Sequence, residues 1–292
     1  LYQQVLKSYP FHPSWRDLLG HLKDNAGFQQ TRGVIRLLGR VVENLWASTG
    51  SDAVDLIHPY DIDLHDAGIA SELQLVNPTL DAAITHDISA GGLAVAEQLD
   101  QANGHRDATD TARLLLLSSL STAPDAVRGL SESALIDCLQ RPGRDLSALK
   151  TTVLDRLDSQ AWYLHRTADG RRYFNDRQNL AARLRTIADS LPEEAVLKWL
   201  RAHLSQRFRP VLCDAYQAVT VLPGLDEVRV TQDVVQLIIT QPRQGSNGLP
   251  LSEEWQSWWG QLDFKNRVVF LTGSRLVMKR VDECTRRLVA LE

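Results

Sequence analysis

The sequence predicts an α+β fold, mainly helical. Three observations lead there. Apolar residues recur at helical spacing through most of the first two thirds of the 292 residues. Aromatic and alternating residues flank Asp169-Gly170, the signal of a β-hairpin. Val219–Leu222, Val234–Thr240 and Arg267–Thr272 are β-rich, and the last two are nearly continuous in apolar residues, as buried parallel strands are.

Composition adds bounds. A hydrophobic fraction of 43% and a charged fraction of 23% are ordinary for a globular protein, and a net charge of -4 gives no global pull towards nucleic acid or membrane. Cys138, Cys213 and Cys284 are far apart, which argues against a disulfide framework or zinc site and fits a reducing cytoplasm. No run approaches a membrane span. Opening on Leu1, with Met278 its single methionine, the sequence is expected to be a piece of a longer protein. It has no GxxxxGK[ST], GxSxG or HExxH motif, so this piece alone is expected not to hydrolyse ATP, and no catalytic residue or metal ligand is assigned.

Segment 1–50 reads as helical. Pro10 and Pro13 interrupt it, Ser14 can cap the next helix, and Trp15, Leu18, Leu19 and Leu22 share a face. In the following helix Val34, Ile35, Leu37, Leu38, Val41, Val42, Leu45 and Trp46 form a wide apolar face, expected to organise the chain. Thr31 is its expected N-cap. Arg32, Arg36 and Arg40 form one basic stripe, either a solvated edge or a place where forked hydrogen bonds hold a phosphate.

Segment 51–104 reads as a connector with short helices. Asp61, Asp63, His65 and Glu72 partly match a calcium loop, but Asp66 occupies its glycine position; local Asx turns and capping are the expectation. Helices are expected from Gly68 and over Gly92–Gln101.

Segment 105–190 carries an apolar helix at Ala112–Leu120, a second capped by Ser131 and stopped by Pro142-Gly143, and a third from Asp145 to Ala161. The hairpin follows. Three helices and a hairpin is the order of a winged helix, whose third helix can enter a major groove while the hairpin touches backbone. Residues 141–185 hold ten basic and five acidic residues, a basic island in an acidic chain. Lys150, Thr151, Arg156, Arg166, Arg171 and Arg172 are the candidate duplex-DNA contacts. Asp155 and Asp158 weaken that face, and packing against protein is the alternative.

Segment 191–292 reads as a helix plus a small α/β domain. Helix is expected over Leu180–Leu204, with Ser190 and Glu193 as a capping box and Pro192 in the first turn. Gly245–Gly248 is expected to be a mobile loop. Trp255, Trp258 and Trp259 suit core or interface better than base stacking. Gly273-Ser274 fits a plain strand-to-helix turn better than an anion site. The last helix, Ser274–Leu291, should bury Leu276, Val277, Val281, Leu288 and Leu291.

Tyr9-Pro10-Phe11-His12-Pro13 with Gly27-Phe28-Gln29-Gln30-Thr31-Arg32-Gly33 resembles the YPFHP … GFQxTRGxxRLL signature of a family of large prokaryotic AAA+-type ATPases. That family is catalogued as domain of unknown function 499, and its members often lie among phage-defence genes. The resemblance extends to AWYLHRTADGRRYFNDRQNL, with Gln178 and Ala181 where the family has proline and asparagine. It also reaches the strand at Arg267–Thr272. It implies that segment 1–50 is an AAA+-type helical lid and that Arg32 or Arg36 senses the terminal phosphate. ATP and Mg would be bound by an N-terminal ATPase core outside these residues. The implied partners are that core, duplex DNA or a defence-system protein, in the cytoplasm.

Overall fold

The computed structural model describes residues 2–22, 25, 30–49, 55–122, 127–212, 214–243 and 251–292. Residues 27–29, the expected break at 50–52, Cys213, the loop 245–248 and the side chain of Thr31 lie outside the described parts. The chain divides into two units, Leu1–Arg183 and Leu184–Glu292.

The first unit runs through helices α1 (Tyr2–Ser8), α2 (Ser14–Leu22), α3 (Gln30–Thr49), α4 (Ala67–Val76) and α5 (Asp81–Ala83, widening into a π turn over Ile84–Ile88). It continues through α6 (Val95–Asn103), α7 (Asp107–Ser119), α8 (Glu132–Leu139) and α9 (Asp155–Gln160, entered by a π turn over Lys150–Leu154). Strands β1 (Leu164–Arg166) and β2 (Arg172–Phe174) close it. The division between units falls within α10 (Leu180–Ser190).

The organising element is α7 rather than α3. Every residue from Ala108 to Ser119 is buried, because leucines and small residues surround the helix on all sides, as in a helix enclosed by a core. Several of its polar groups are hydrogen-bonded, while Thr111 Oγ1 and Arg113 Nε are buried without a partner among the described residues. Ser118 and Ser119 donate to the Leu115 carbonyl, and Ser119 Oγ also accepts the Phe174 N–H at 2.8 Å. Asp100 caps its start, taking the Ala108 and Thr109 N–H groups at 2.8 and 2.9 Å. One continuous core extends from Trp15 to Phe174, so the expected segments 1–50, 51–104 and 105–190 share it.

Helix α3 buries a narrower stripe than its periodicity suggests. Leu37 and Val41 are enclosed, Val34, Leu38 and Leu45 are half-buried, and Ile35, Val42 and Trp46 face outward. The connector is also core: Tyr60, Ile62 and Ile69 are buried. Its carboxylates make Asx turns and caps. Asp63 accepts the His65 N–H, Asp66 caps α4 through Ile69, and Glu97 gathers the N–H groups of Ala90, Gly92 and Ala94. No group able to hold a metal occurs among the described residues.

Ser131 caps α8 as expected, its Oγ accepting the Ala134 N–H. The third helix starts later than expected. Asp145 instead forms an Asx turn on the Ser147 N–H. β1 and β2 pair antiparallel with Leu164 opposite Phe174 and Arg166 opposite Arg172. Leu130, ahead of α8, exchanges two backbone hydrogen bonds with Arg172 and adds a third strand stub. Gly129 permits this approach: its φ is +80°, and a Cβ there would collide with the Arg172 carbonyl.

The second unit contains α11 (Glu193–Arg207), β3 (Ala218–Val221), β4 (Gln236–Thr240), α12 (Glu253–Gly260), β5 (Val268–Thr272) and α13 (Met278–Leu291). The three strands are parallel in the order β3-β4-β5. Leu237 and Ile239 pack beside Leu204 and Phe208 of the α11 side, while Ile238 packs beside Trp255 and Trp258 of α12. Strand alternation thus serves both faces. Trp255, Trp258 and Phe270 meet edge to face, and Trp259 stays outside with Lys265 over its ring.

Two expectations fail here. Helix does not continue from Leu180 to Leu204: Pro192 is the N-cap of α11, without a side-chain cap, and Ser190 donates back to the Ile187 carbonyl instead of boxing with Glu193. The last helix buries Thr285, with Met278 and Val281 half-covered, whereas Leu276, Val277, Leu288 and Leu291 are exposed. A 3-10 turn over Arg275–Val277 precedes α13 and resets its face.

Candidate functional site

The arginine stripe of α3 splits in two. Arg36 Nε lies 3.2 Å from Glu72, and Arg40 lies 3.7 Å from the capping carboxylate of Asp66. Both tie α3 to α4. Arg32, one turn earlier, is exposed and has no ion pair or hydrogen bond among the described residues. Three guanidinium groups at four-residue spacing repel one another. Two are answered by carboxylates from α4 and its cap, and one is left to face whatever lies outside.

The Tyr9–Pro13 motif is a latch. The Pro10 carbonyl accepts the Ile57 N–H, and the Ile57 carbonyl accepts the His12 N–H, both at 2.8 Å. Trp15 Nε1 donates to the same carbonyl at 3.1 Å. Above them the rings of His12, His58 and Tyr60 stack at 4.6 and 4.7 Å. The Arg144 guanidinium lies 5.3 Å over Tyr60 and reaches Asp110 at 2.9 Å. Burial, with the neighbouring His12 adding to it, holds the His58 imidazole down to about 4. This histidine is therefore neutral and positions the motif instead of exchanging protons. Burial also lifts the Asp110 carboxyl to about 6 against the pull of Arg144.

On the α9–hairpin face, the candidate contacts divide by burial. Lys150, Thr151 and Arg156 are exposed on the helix, and Thr151 Oγ1 donates to the Ala148 carbonyl. Arg166 is exposed but lies 3.7 Å from Asp158, and Arg171 at the hairpin tip lies 3.0 Å from Asp169. Arg172 is withdrawn altogether. It is 2% exposed, and its Nε and Nη2 donate to Asp158 at 2.8 to 3.1 Å. A guanidinium held this way cannot reach a phosphate, so Arg172 leaves the set of candidate DNA contacts. Its partner was the residue that the sequence marked as weakening the face.

One residue of this region carried no sequence signal. Asp87, fully buried, takes the N–H groups of Trp162 and Tyr163 at 3.0 and 2.7 Å and the Nδ1 of His86 at 2.6 Å. It pins the turn after α5 to the start of the hairpin. Burial raises its carboxyl above the usual range. A lone aspartate between Ala83 and Ala90 has no spacing that would betray a partner 75 residues away.

Residues 1–115 match the family model described as DUF499 second domain. The match supports the resemblance first drawn from the Tyr9–Pro13 and Gly27–Gly33 motifs. It contains the whole arginine stripe and stops inside α7, before the hairpin. No curated protein and no solved structure matches the chain. Among the described residues no helix is long and apolar enough to cross a membrane.

Proposed function

We propose that these residues are a regulatory and binding part of a larger cytoplasmic AAA+-type ATPase, with α2 and α3 acting as a helical lid. The observation that carries this is Arg32. It stands free at the start of a helix whose Leu37 and Val41 are anchored in the core, while Arg36 is occupied by Glu72. A fixed guanidinium with an open approach suits the terminal phosphate of ATP, held with Mg by a core outside these residues. Arg32 takes the sensing role, and Arg36 holds the helix in place. Nucleotide state would then bias the position of the unit. The experiment is ATP turnover by the parent protein. Arg32→Ala should impair it severely; turnover equal to that of the unaltered protein would refute the assignment.

The winged-helix reading draws support from the strand stub at Leu130, which pairs with β2 between the first and second helices of the set. On that reading α9 offers Lys150, Thr151 and Arg156 to duplex DNA, with Arg166 and Arg171 beside them. A second reading, a docking module for a defence-system protein without nucleotide coupling, is favoured by the hairpin cations: Asp158 and Asp169 already neutralise them. Duplex-DNA anisotropy at two salt concentrations separates the two, since phosphate contacts weaken steeply with salt and protein docking to this face does not require DNA.

A further inference from the structure

The parallel sheet of the second unit ends on β3 and β5, and its two edges are not alike. Residues Ala218–Val221 of β3 are all buried or half-buried. β5 pairs with β4 along Val268–Thr272, and no described strand lies on its other side. In a parallel ladder alternate residues turn both backbone groups towards one neighbour. The remaining N–H and C=O groups of β5 therefore face outward. One face of the strand is covered, since Val268 and Phe270 pack with Ile238 and Trp258 on the α12 side. The opposite face is open: Val269 is 46% exposed and Leu271 38%. Edge strands are ordinarily blunted by a charge, a proline or a bulge. The sequence VVFLT has neither charge nor proline, and its register with β4 is unbroken.

Charge decides what fits there. Residues 263–280 hold five basic residues and one acid, Asp263. Arg267 just before β5 and Arg275 just after it have no side-chain partner among the described residues, and Lys265 lies over the Trp259 ring. A second copy joined to β5 by a two-fold axis would run antiparallel. The Arg267 end of each strand would then meet the Arg275 end of the other, and like charges so placed repel. An acidic strand meets no such penalty. We propose that β5 is the docking edge for an extended segment of a partner protein with carboxylates at its ends. Its backbone continues the sheet, its alternate apolar side chains cover Val269 and Leu271, and its acids meet Arg267 and Arg275.

The probe is a fluorescein-labelled peptide, EEVTVTVEE, titrated into the 292-residue chain and followed by anisotropy. Saturable one-to-one binding that weakens with salt is expected, together with slower hydrogen exchange at the amides of Val268–Thr272. The peptide KKVTVTVKK keeps the core and reverses the charge; it should bind roughly tenfold or more weakly, because repulsion replaces the ion pairs. Arg267→Gln with Arg275→Gln should lower affinity for the acidic peptide roughly three- to tenfold, the range for two exposed ion pairs, and flatten its salt dependence. Val269→Thr with Leu271→Thr keeps strand propensity and should also weaken binding. If a variant does not fold, the two peptides decide alone. Failure to saturate at millimolar peptide overturns the proposal. So does equal affinity for the two peptides, or binding without added protection of the β5 amides. Two results on the free chain would also overturn it. A dimer with those amides already protected would place a second copy on the edge, and a monomer so protected would place another segment of the same chain there.

Discussion

Replacing Asp158 by Ala should be among the most damaging single changes in the first unit. Its carboxylate accepts three N–H contacts from Arg172, between 2.8 and 3.1 Å, and Arg172 is 2% exposed. Without Asp158 the guanidinium stays charged, buried and unpaired, which costs about 3–5 kcal/mol. The reverse change is milder. Arg172→Met leaves a carboxylate whose side chain is 20% exposed and can rehydrate beside Arg166, so the loss should be about 1–2 kcal/mol. In the double variant neither charge is stranded, and it should be more stable than Asp158→Ala alone. For a unit of this size 1 kcal/mol moves the melting temperature by roughly 2–4 °C, so Asp158→Ala should melt roughly 6–20 °C below the parent. Urea unfolding followed by circular dichroism measures all three. If Asp158→Ala proves no worse than Arg172→Met, the guanidinium is solvated and the burial argument is wrong. The same logic disqualifies Arg172 as a probe of DNA contact, because its variants would report folding.

Three further outcomes follow from the same geometry. Since the His58 pKa falls from 6.5 unfolded to about 4 folded, its contribution to stability is present above pH 6.5 and is lost as pH falls towards 4. The full loss is about 3 kcal/mol. His58→Gln should flatten that limb of the stability–pH curve relative to the parent, and an unchanged slope would contradict a buried neutral imidazole. Gly129→Ala forces a Cβ into the Arg172 carbonyl at a φ of +80°, and chemical denaturation should show a loss of about 2 kcal/mol or more. Lys150→Ala with Arg156→Ala should lower duplex-DNA affinity and reduce the salt slope by about two, with melting unaltered; an unaltered slope would favour the protein-docking reading.

Much of the architecture was legible in the sequence because it is local. Ser131 capping α8, the Asp169-Gly170 hairpin and the parallel strands are each written in a few neighbouring residues. What failed was the choice of burial side where tertiary partners decide. The apolar stripe of α3 looked widest by periodicity, yet the enclosed helix is α7: the apolar run expected at Ala112–Leu120 was legible, but not that the helix starts at Asp107 and that Thr109, Asp110, Thr111 and Arg113 are buried with it. Two of those polar residues are answered from afar: Asp110 meets Arg144, and Arg113 Nη1 reaches the Tyr60 carbonyl at 3.2 Å. Neither partner is near in sequence, so no periodicity could reveal the pairing. The α13 face was misassigned for a similar reason: a 3-10 turn shifts the helical phase, and Thr285 can turn inward because its hydroxyl donates to the Val281 carbonyl at 2.8 Å.

The candidate site shows the same boundary in charge rather than packing. Spacing alone made Arg32, Arg36 and Arg40 equivalent, since each occupies the same face of one helix. Their roles separate only when α4 and its cap arrive, and Glu72 and Asp66, 36 and 26 residues after their partners, take Arg36 and Arg40. The hairpin repeats the pattern. Arg171 and Arg172 are neighbours in sequence, but strand alternation sends one to the tip and the other inward onto Asp158. In both places a cation count overstates the charge available to a phosphate. The useful quantity is the number of guanidinium groups left after internal carboxylates are assigned, and in α3 the remainder is Arg32. A basic island therefore argues for anion binding only after its acids have been placed. Here that placement leaves the phosphate-sensing reading of α3 with one residue on which it stands or falls.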